Sequence, residues 1–479
     1  MPLRPSLFVF GHDLRLGDHA GLAEAGRHGA VVPALVVDPR RLSVLGRNPR
    51  RAAYYSEAVQ SLARDLEARG TRLICRRGSI AATVLGLARE AGARAVTWSA
   101  GYGATAQREG RALQSALEEA GLRATIVHDA PAVAPEDTAA ARTTGGGRGY
   151  RSLAAYVSAW ADQPREPLTA RVRFAASDLA SHALPSPADW NGAGAGTGTP
   201  SEAQARVALD AYLANAVLSY RSARNLPADE RTSHLSAALS FGIISARTVL
   251  RALDERARDP FLLTEERSSL ETFRRSLARR DFFLQLAWFF EETPDAVLQP
   301  RMRAFGFART HPFLDAWREG RTGFPLVDAG MRELRARGWM HPRARQVAAS
   351  FLCFDLGVDW RIGRDVWDAE LVEDDPALAS GNWQWIAGVG ADLAQFPRIY
   401  NPRKQARSFD PSGTYVRRWI PELANVPDAN LFDGDAAEQR QLALPLYAAA
   451  PYARPVLDHE TTARAFLARY QAFARAATR

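Results

Sequence analysis

Short apolar runs alternate with longer segments of helical periodicity over the first 130 residues of this 479-residue chain. This alternation is typical of strands and helices that take turns in a parallel sheet covered on both faces. We therefore expect residues 1–130 to form an α/β domain with a doubly wound, five-stranded parallel sheet and a ligand crevice at the carboxyl ends of its strands. The runs expected as strands are residues 7–10, 31–37, 72–74, 95–98 and 125–128.

Glycine patterns in this half of the chain argue against two common nucleotide sites. The turn after the first predicted strand reads Gly11-His12-Asp13 and lacks the GxGxxG spacing of an NAD-binding domain. The glycine-rich residues 145–149 are not followed by the Gly-Lys-Ser/Thr of a phosphate-binding P-loop. Neither an ordinary NAD domain nor a P-loop NTPase is expected.

The remaining chain divides into a linker and a helical domain. Residues 131–200 lose the alternating pattern and are rich in Gly and Pro, which is typical of a linker. Over residues 201–479 apolar side chains recur at helical spacing, as in Leu270, Phe273, Leu277 and Leu284, with no strand alternation of useful length. We expect this second domain to be all-α.

Cysteine usage and hydropathy indicate a cytoplasmic protein. The two cysteines, Cys75 and Cys353, match no disulfide framework and no zinc-ligand spacing, so no metal site is predicted. The N-terminal apolar stretch is too short for a signal peptide, and no window of 18 uncharged apolar residues occurs. We expect a cytoplasmic, monomeric protein that does not span a membrane.

The net charge of +8 would suit a polyanionic partner such as DNA. The excess is spread along the chain, and Lys404 is the single lysine among 61 basic residues. Genomic codon bias towards arginine is therefore the competing explanation.

A cluster of hydroxyl side chains lies where a helix is expected to begin. Hydroxyls together with free backbone N–H groups at a helix start form an anion site suited to a pyrophosphate. The alternative is a simple Ser/Thr N-cap. The segment is Thr232, Ser233, His234, Leu235 and Ser236.

Further along, several ordered motifs resemble those of the DNA photolyase/cryptochrome family, and the resemblance covers nearly the whole chain. It is weak at residues 10–19 and at 232–236. It is far more specific at residues 324–332 (Phe-Pro-Leu-Val-Asp-Ala-Gly-Met-Arg), 338–345 (Gly-Trp-Met-His-Pro-Arg-Ala-Arg), 382–385 (Asn-Trp-Gln-Trp), 409–411 (Phe-Asp-Pro) and 419–423 (Trp-Ile-Pro-Glu-Leu).

The resemblance implies an N-terminal antenna domain and a helical domain that holds FAD in a U shape. Carried over by motif, the expected cofactor-binding residues are Tyr220, Thr232, Ser233, His234, Leu235, Ser236, Arg345, Glu373, Asp374 and Asp375. Arg280 and Asp281 interrupt the apolar pattern of their helix, and we expect at least one of them, with Arg280 as the candidate, to face the cofactor. A second, antenna chromophore is implied without an identity.

Tryptophans are expected to supply electrons to the flavin. The proximal and middle positions of the family's electron-transfer chain fall on Trp383 and Trp360, while the distal surface position falls on Phe307. Because phenylalanine is much harder to oxidise, the usual chain is expected to be interrupted. Of the aromatic pair that stacks on a flipped pyrimidine dimer, only Trp385 is retained.

The substrate side departs from the family pattern. The dimer-binding glutamate and stacking tryptophan fall on Ser276 and Arg279, and the asparagine and methionine of the later motif fall on Pro342 and Gln346. The position facing flavin N5 is Ala379. The two histidines that repair of six-four lesions needs are absent from positions 342 and 346.

A basic face for DNA is still expected, with a solvated arginine-rich surface as the alternative. The residues expected to bind DNA are Arg224, Ser276, Arg279, Pro342, Arg343 and Gln405, and Lys404, Arg407, Arg417 and Arg418 could add to the same basic face.

Three hypotheses follow. The first is a deoxyribodipyrimidine photo-lyase, a carbon–carbon lyase that uses photoexcited reduced FAD to split pyrimidine dimers in DNA. The second is a cryptochrome-type blue-light photoreceptor without efficient repair, favoured by the altered substrate residues. The third is a flavin-binding structural relic.

Overall fold

The structure is a computed structural model that describes residues 4–140, 149–164, 172–190, 200–391, 397–432 and 452–476. The chain divides into two compact units. Unit 1 comprises Met1–Leu218, Ser233–Pro294 and Val372–Leu378, and unit 2 comprises Ser219–Thr232, Asp295–Leu371 and Ala379–Arg479. The domain boundaries predicted at residues 130 and 200 stay predictions.

Unit 1 contains the predicted five-stranded parallel sheet, which is confirmed. Neighbouring strands pair in parallel in the order β3-β2-β1-β4-β5. The two central strands β1 and β2 are buried along their whole length, as continuous apolar runs in a doubly covered sheet should be. The strands are β1 (Ser6–Phe10), β2 (Val31–Val37), β3 (Ile74–Arg77), β4 (Ala95–Ser99) and β5 (Arg123–Val127).

Two helices between the strands begin at sequence signals that satisfy one of their first backbone N–H groups. The side chains of Asp38 and Asn48 accept hydrogen bonds from the N–H groups of Arg40 and Arg51, and a proline follows each cap. The α-helices described before residue 200 are α1 (Ala20–His28), α2 (Pro39–Leu45), α3 (Pro49–Glu67), α4 (Ile80–Glu90), α5 (Ala104–Glu119), α6 (Pro135–Ala140) and α7 (Leu153–Ala161).

A buried charge network lies at the carboxyl edge of the sheet, where Asp129 follows β5. Its Oδ1 accepts hydrogen bonds from Arg15 at 2.8 Å and from Arg247 at 2.7 Å. Burial alone would raise the pKa of Asp129, but the charges of Arg15, His19 and Arg247 outweigh it and hold that pKa below its ordinary value. The paired carboxylate therefore stays ionised inside unit 1.

The chain after residue 200 is helical, as predicted. Apart from one isolated bridge between Ala308 and Val358, its described residues form helices and turns. The helices are α8 (Glu202–Ala214), α9 (Tyr220–Ala223), α10 (Ser236–Ser240), α11 (Ala246–Ala257), α12 (Thr264–Phe289), α13 (Leu314–Glu319), α14 (Pro325–Arg337), α15 (Pro342–Ser350), α16 (Trp360–Asp368), α17 (Pro376–Ile386), α18 (Pro402–Phe409), α19 (Thr414–Trp419) and α20 (His459–Ala476).

The core of unit 2 is aromatic. Trp317, Phe324, Phe351 and Trp360 are fully buried in one cluster. Helix α15 widens into a π-helical turn at Phe351–Asp355 before α16 begins at Trp360, capped by the side chain of Asp359. Among the helices described in either unit, none combines the length and hydropathy of a membrane span.

Candidate functional site

The hydroxyl-rich segment enters helix α10 without a Ser/Thr cap. The N-cap residue is Leu235, with no side-chain cap hydrogen bond, so the simple Ser/Thr N-cap alternative is wrong for this helix. His234 just before it has φ of 51°, a left-handed conformation that a non-glycine residue adopts at a cost. The Ser236 hydroxyl instead donates to Oε2 of Glu373 at 2.9 Å. Within unit 1, this links two predicted cofactor-binding residues that are far apart in sequence.

The three acidic residues before helix α17 have different surroundings. The backbone carbonyl of Glu373 accepts from Arg51 at 3.0 Å, and the Asp374 carboxylate lies 3.7 Å from the same guanidinium. Asp375 accepts a hydrogen bond from the N–H of Leu378 at 3.1 Å. No sequence motif indicates Arg51, because it lies in helix α3.

Asp375 is largely buried, with 15% of its side chain exposed. Burial raises its pKa, the charge of Arg280 lowers it, and the neighbouring Asp374 and Glu373 raise it again, with an increase as the net result. The nearest cation is the Arg280 guanidinium, 4.0 Å away. This carboxyl group is therefore suited to share a hydrogen bond with a ligand N–H or O–H.

Helix α12 carries two buried charges, Arg280 and Asp281, that lie 3.5 Å apart and have further partners of their own. Arg280 donates to the carbonyl of Ala130 at 2.8 Å and approaches Asp375. Asp281 accepts hydrogen bonds from the N–H of Ala132 at 2.8 Å and from the indole of Trp160 at 2.9 Å. Asp281 thus holds the backbone after β5, and Arg280 is the member of the pair that lies among the predicted cofactor-binding residues of unit 1.

One turn earlier on α12 lie the two altered substrate positions. The Ser276 hydroxyl donates to the Thr272 carbonyl of its own helix at 3.2 Å, and Arg279 is half-buried. Spacing of three and four residues places Ser276, Arg279 and Arg280 on one side of the helix. The side chains at both altered positions are polar, but neither is an acid or an aromatic ring.

Unit 2 contributes the other predicted phosphate-binding residues. The Thr232 side-chain oxygen is buried and has no hydrogen-bond partner in the described part of the chain. Tyr220 carries the guanidinium of Arg224 at 5.9 Å from its ring centre. A buried hydroxyl without a partner is costly, and a bound polar ligand would relieve that cost.

The start of helix α15 carries two arginines with different partners. Arg343 donates to Asn225 at 2.6 Å and to Gln405 at 3.4 Å, and its guanidinium lies 4.2 Å from the ring centre of Phe409. Burial lowers its pKa, with the nearby charge of Arg224 acting in the same direction. Arg345 donates from Nε to the carbonyl of Met340 at 2.8 Å. Pro342, at the first helical position, is exposed.

The candidate electron-transfer residues lie in the core of unit 2. Trp383 is buried, and its ring centre is 4.4 Å from that of Trp367. Trp360 is fully buried, its indole nitrogen has no partner among the described residues, and Arg361 covers its ring at 4.7 Å. Sequence reasoning missed Trp367, although it lies seven residues after Trp360 on the same helix.

Phe307, at the distal electron-transfer position, and Trp385, the predicted dimer-stacking residue, have different neighbours. Phe307 packs edge-on against Phe305, with ring centres 5.0 Å apart, and also contacts Phe466. Trp385 is half-buried, with the Arg398 guanidinium 5.7 Å from its ring centre. Because residue 307 is a phenylalanine, interruption of the electron-transfer chain at this position stays a prediction.

Two features of the described residues fit an FAD cofactor. The Thr232 hydroxyl oxygen in unit 2 needs a polar partner, and Asp375 with Arg280 in unit 1 offers an acceptor and a cation that match the polar edge of a flavin. The residues proposed to bind FAD supply hydroxyls, an arginine and carboxylates. Within the described ranges, no cluster of possible metal ligands occurs.

Comparisons with known proteins also indicate an FAD-binding protein. Residues 6–173 match the family model of DNA photolyase, and residues 273–472 match the FAD binding domain of DNA photolyase. A deoxyribodipyrimidine photo-lyase of Synechococcus is 31% identical, with 97% of this chain and 96% of the relative covered.

Solved structures give the same result. A class III photolyase of Agrobacterium tumefaciens superposes with a TM-score of 0.86 and 28% identity, covering 99% of this chain and 98% of its own. An archaeal photolyase of Sulfolobus tokodaii, solved with two FAD molecules, has a TM-score of 0.82 and 25% identity over 98% of this chain and 100% of its own. Sequence and fold agree over the whole length, so the chain carries the FAD-binding domain of photolyases and belongs to the DNA photolyase/cryptochrome family.

Proposed function

We propose that this protein is a deoxyribodipyrimidine photo-lyase that binds DNA and splits pyrimidine dimers in blue light. The observation that carries the proposal is the full-length relationship to a photo-lyase, with 97% of this chain aligned. FAD, when bound and reduced, supplies the light-absorbing electron donor for the cleavage. The chain itself must hold that cofactor, keep it supplied with electrons, and bind the DNA.

Cofactor binding is proposed for the residues that the family motifs indicate. Ser236 and Glu373, which are hydrogen-bonded to each other, are proposed to bind the polar tail of the cofactor together with Thr232 and Tyr220. Arg280 and Asp375 are proposed to contact its polar ring edge. The remaining proposed cofactor-binding residues are Ser233, His234, Leu235, Arg345 and Asp374.

Electron supply and substrate stacking are assigned to tryptophans. We propose Trp383 as the first donor to the flavin, because it is a buried indole with a second indole 4.4 Å away. Trp360 is the next proposed donor, and Trp385 is proposed to stack on the flipped base.

DNA binding is assigned to the arginines around helix α15 and their neighbours. Arg343 is already oriented by Asn225 and Gln405, so little side-chain entropy is lost when it contacts a phosphate. Arg224 and Arg279 add charge, and Ser276 and Pro342 occupy positions that contact the lesion in relatives with the usual motif.

The test is dimer loss in light. The flavin-loaded, photoreduced protein is mixed with an oligonucleotide containing a cyclobutane dimer and illuminated, with a dark sample and an undamaged oligonucleotide as controls. Repair should require light and should fall when Arg343→Gln weakens DNA binding. Absence of dimer loss at saturating protein would remove the photo-lyase assignment for this lesion.

A second function is favoured by the altered substrate positions. Ser276 and Arg279 replace an acid and an aromatic ring, and Ser276 is hydrogen-bonded within its own helix. Loss of contacts made in the transition state lowers catalysis. A cryptochrome-type photoreceptor is therefore the alternative, and it predicts normal photoreduction without dimer loss.

Three further properties are proposed. The protein is proposed to be cytoplasmic. It is also proposed to act as a monomer, and size-exclusion chromatography with light scattering tests this oligomeric state. It acts on UV-damaged DNA, which competition between damaged and undamaged duplexes tests. A second chromophore is proposed because a structural relative was solved with two FAD molecules, and extraction of pigments from the purified protein tests it.

A further inference from the structure

A tyrosine, a histidine and a carboxylate form a hydrogen-bonded chain at the carboxyl edge of the sheet. Tyr102 follows β4 and His128 follows β5, and the carboxyl ends of neighbouring parallel strands lie side by side. The Tyr102 hydroxyl is 2.8 Å from Nδ1 of His128. Nε2 of His128 is 3.1 Å from the carboxylate of Glu136. None of the three belongs to a motif recognised in the sequence.

The direction of each hydrogen bond follows from the carboxylate. Glu136 has only acceptors, so Nε2 of a neutral His128 carries the ring proton and Nδ1 is left as an acceptor. The Tyr102 hydroxyl is therefore the donor to Nδ1. Burial raises the pKa of Glu136, whereas the hydrogen bonds that it accepts from His128 and Trp288 lower it, and the net pKa lies below its ordinary value, so the carboxylate is held ionised. This arrangement orients a proton acceptor at the phenol.

The chain leads from the interior of unit 1 to solvent. The Tyr102 ring packs against the cluster formed by Leu284, Ala287 and Ala377, the last of which is two residues from Asp375. At the other end, the Glu136 side chain is 52% exposed. Protons can thus be exchanged with solvent at the end that is remote from Asp375.

A tryptophan and a glycine hold the cluster in place. Trp288 donates from its indole nitrogen to Glu136 at 2.5 Å, and its ring packs edge-on against His128 with centres 4.5 Å apart. Gly103 has φ of 96°, and a Cβ there would lie 2.9 Å from Pro294. Only glycine permits this close approach, which seats the neighbouring Tyr102 against the end of helix α12.

We propose that Tyr102 is a redox-active tyrosine that gives one electron to the photoexcited flavin while its phenolic proton passes to Nδ1 of His128. The proposal rests on the proposed light-driven function. The O–H bond of Tyr102 breaks, a neutral phenoxyl radical forms, and the imidazolium of His128 is balanced by the Glu136 carboxylate. A small thiolate then returns one electron to the radical and becomes a thiyl radical, two of which couple to a disulfide, and His128 returns the proton.

The half-buried phenol of Tyr102 needs such an acceptor, because the oxidised phenol is a strong acid in a site that disfavours charge. Burial raises the pKa of Tyr102 well above its ordinary value, with the charge of Asp281 acting in the same direction. The ionised phenolate is therefore inaccessible in the resting protein, and coupled loss of the proton and electron is the available route. Tyr102 would thereby supply electrons to the flavin in a protein whose distal electron-transfer position is Phe307.

The test is an electron paramagnetic resonance spectrum of the flavin-loaded protein, illuminated without added reductant. Wild type should give a tyrosyl radical, and Tyr102→Phe should abolish it. His128→Gln keeps an acceptor for the hydrogen bond but cannot take the proton, and should lower the radical yield roughly a hundredfold. The matched control is Tyr55→Phe, which removes the hydroxyl of another buried tyrosine of unit 1 and should leave the signal unchanged.

Two further measurements separate loss of the tyrosyl radical from misfolding of a variant and from loss of repair activity. Fluorotyrosine at position 102 retains the hydroxyl and should add a fluorine splitting to the radical signal. A light-induced tyrosyl signal without that splitting, or one that persists in Tyr102→Phe, overturns the proposal. Dimer loss by chemically pre-reduced protein tests repair separately, so repair that fails in wild type counts against the photo-lyase assignment alone.

Discussion

Replacing Asp129 by asparagine should destabilise unit 1 far more than the loss of an exposed charge. The carboxylate accepts from two guanidinium groups, Arg15 at 2.8 Å and Arg247 at 2.7 Å, and from the N–H of Ala20 at 2.9 Å. Asparagine keeps the size but removes the charge, which leaves the buried Arg15 without its anion and Arg247 with Asp18 alone. Removal of one partner of a buried ion pair costs about 3–5 kcal/mol, and we expect a loss in that range.

The matched control is Glu291→Gln. Glu291 forms two hydrogen bonds of 2.9 Å with Arg111, but the two side chains are 38% and 53% exposed. Exposed pairs contribute about 0–1 kcal/mol. Urea unfolding followed by circular dichroism, together with hydrogen exchange of the β1 and β5 amides, measures both variants. Equal losses in the two variants would refute the reasoning that burial gives the Asp129 network its strength.

The pH dependence gives a second check on the same network. Because the folded-state pKa of Asp129 is held below its unfolded value of about 3.9, the ionised carboxylate stabilises the fold fully above that pH. This contribution is lost as the pH falls through the folded-state pKa. The free energy of unfolding of wild type should therefore approach that of Asp129→Asn in acid, and a gap that widens in acid would contradict the assignment.

Three further predictions concern the proposed site. Thr232→Val should raise the stability of flavin-free protein, because a buried hydroxyl without a partner costs about 1–3 kcal/mol, and should weaken FAD binding, which flavin fluorescence titration measures. Trp383→Phe should slow photoreduction of the flavin in an absorbance time course, and an unchanged rate would show that another donor, such as Tyr102, dominates. Arg343→Gln should reduce the slope of log affinity against log salt by about 1 in a DNA-binding titration, and an unchanged slope would remove Arg343 from the phosphate contacts.

The sheet could be predicted because the pattern that indicates each strand lies within the strand's own residues. Each buried strand is a continuous apolar run between turn residues, and each helix begins at a cap such as Asp38 or Asn48. The predicted third strand, at residues 72–74, lies earlier than the observed Ile74–Arg77. Arg72 instead donates to the carbonyls of Ser177 and Leu179, a contact that no local pattern indicates.

The cofactor-related residues were predictable where they belong to motifs and not where they depend on packing. The sequence identified Arg280 and Asp281 as buried charges, but it did not identify their partners, Asp375 and Ala132, which lie about 100 to 150 positions away. Likewise, nothing in the spacing of Trp367 indicates a ring contact with Trp383, since the two belong to different helices. Long-range contacts of this kind require the folded chain.

The hydrogen bond from Arg51 to the carbonyl of Glu373 affects which fragments of this protein could keep residues 373–375 in place. Arg51 belongs to helix α3 beside the sheet, yet it donates to the carbonyl of Glu373 in the segment that leads to Asp375. A fragment beginning after the linker would retain every flavin motif while losing the side chain that fixes this backbone. The N-terminal layer is thus scaffolding for the cofactor chemistry, and grafting a foreign antenna module onto the helical part would require an equivalent of Arg51.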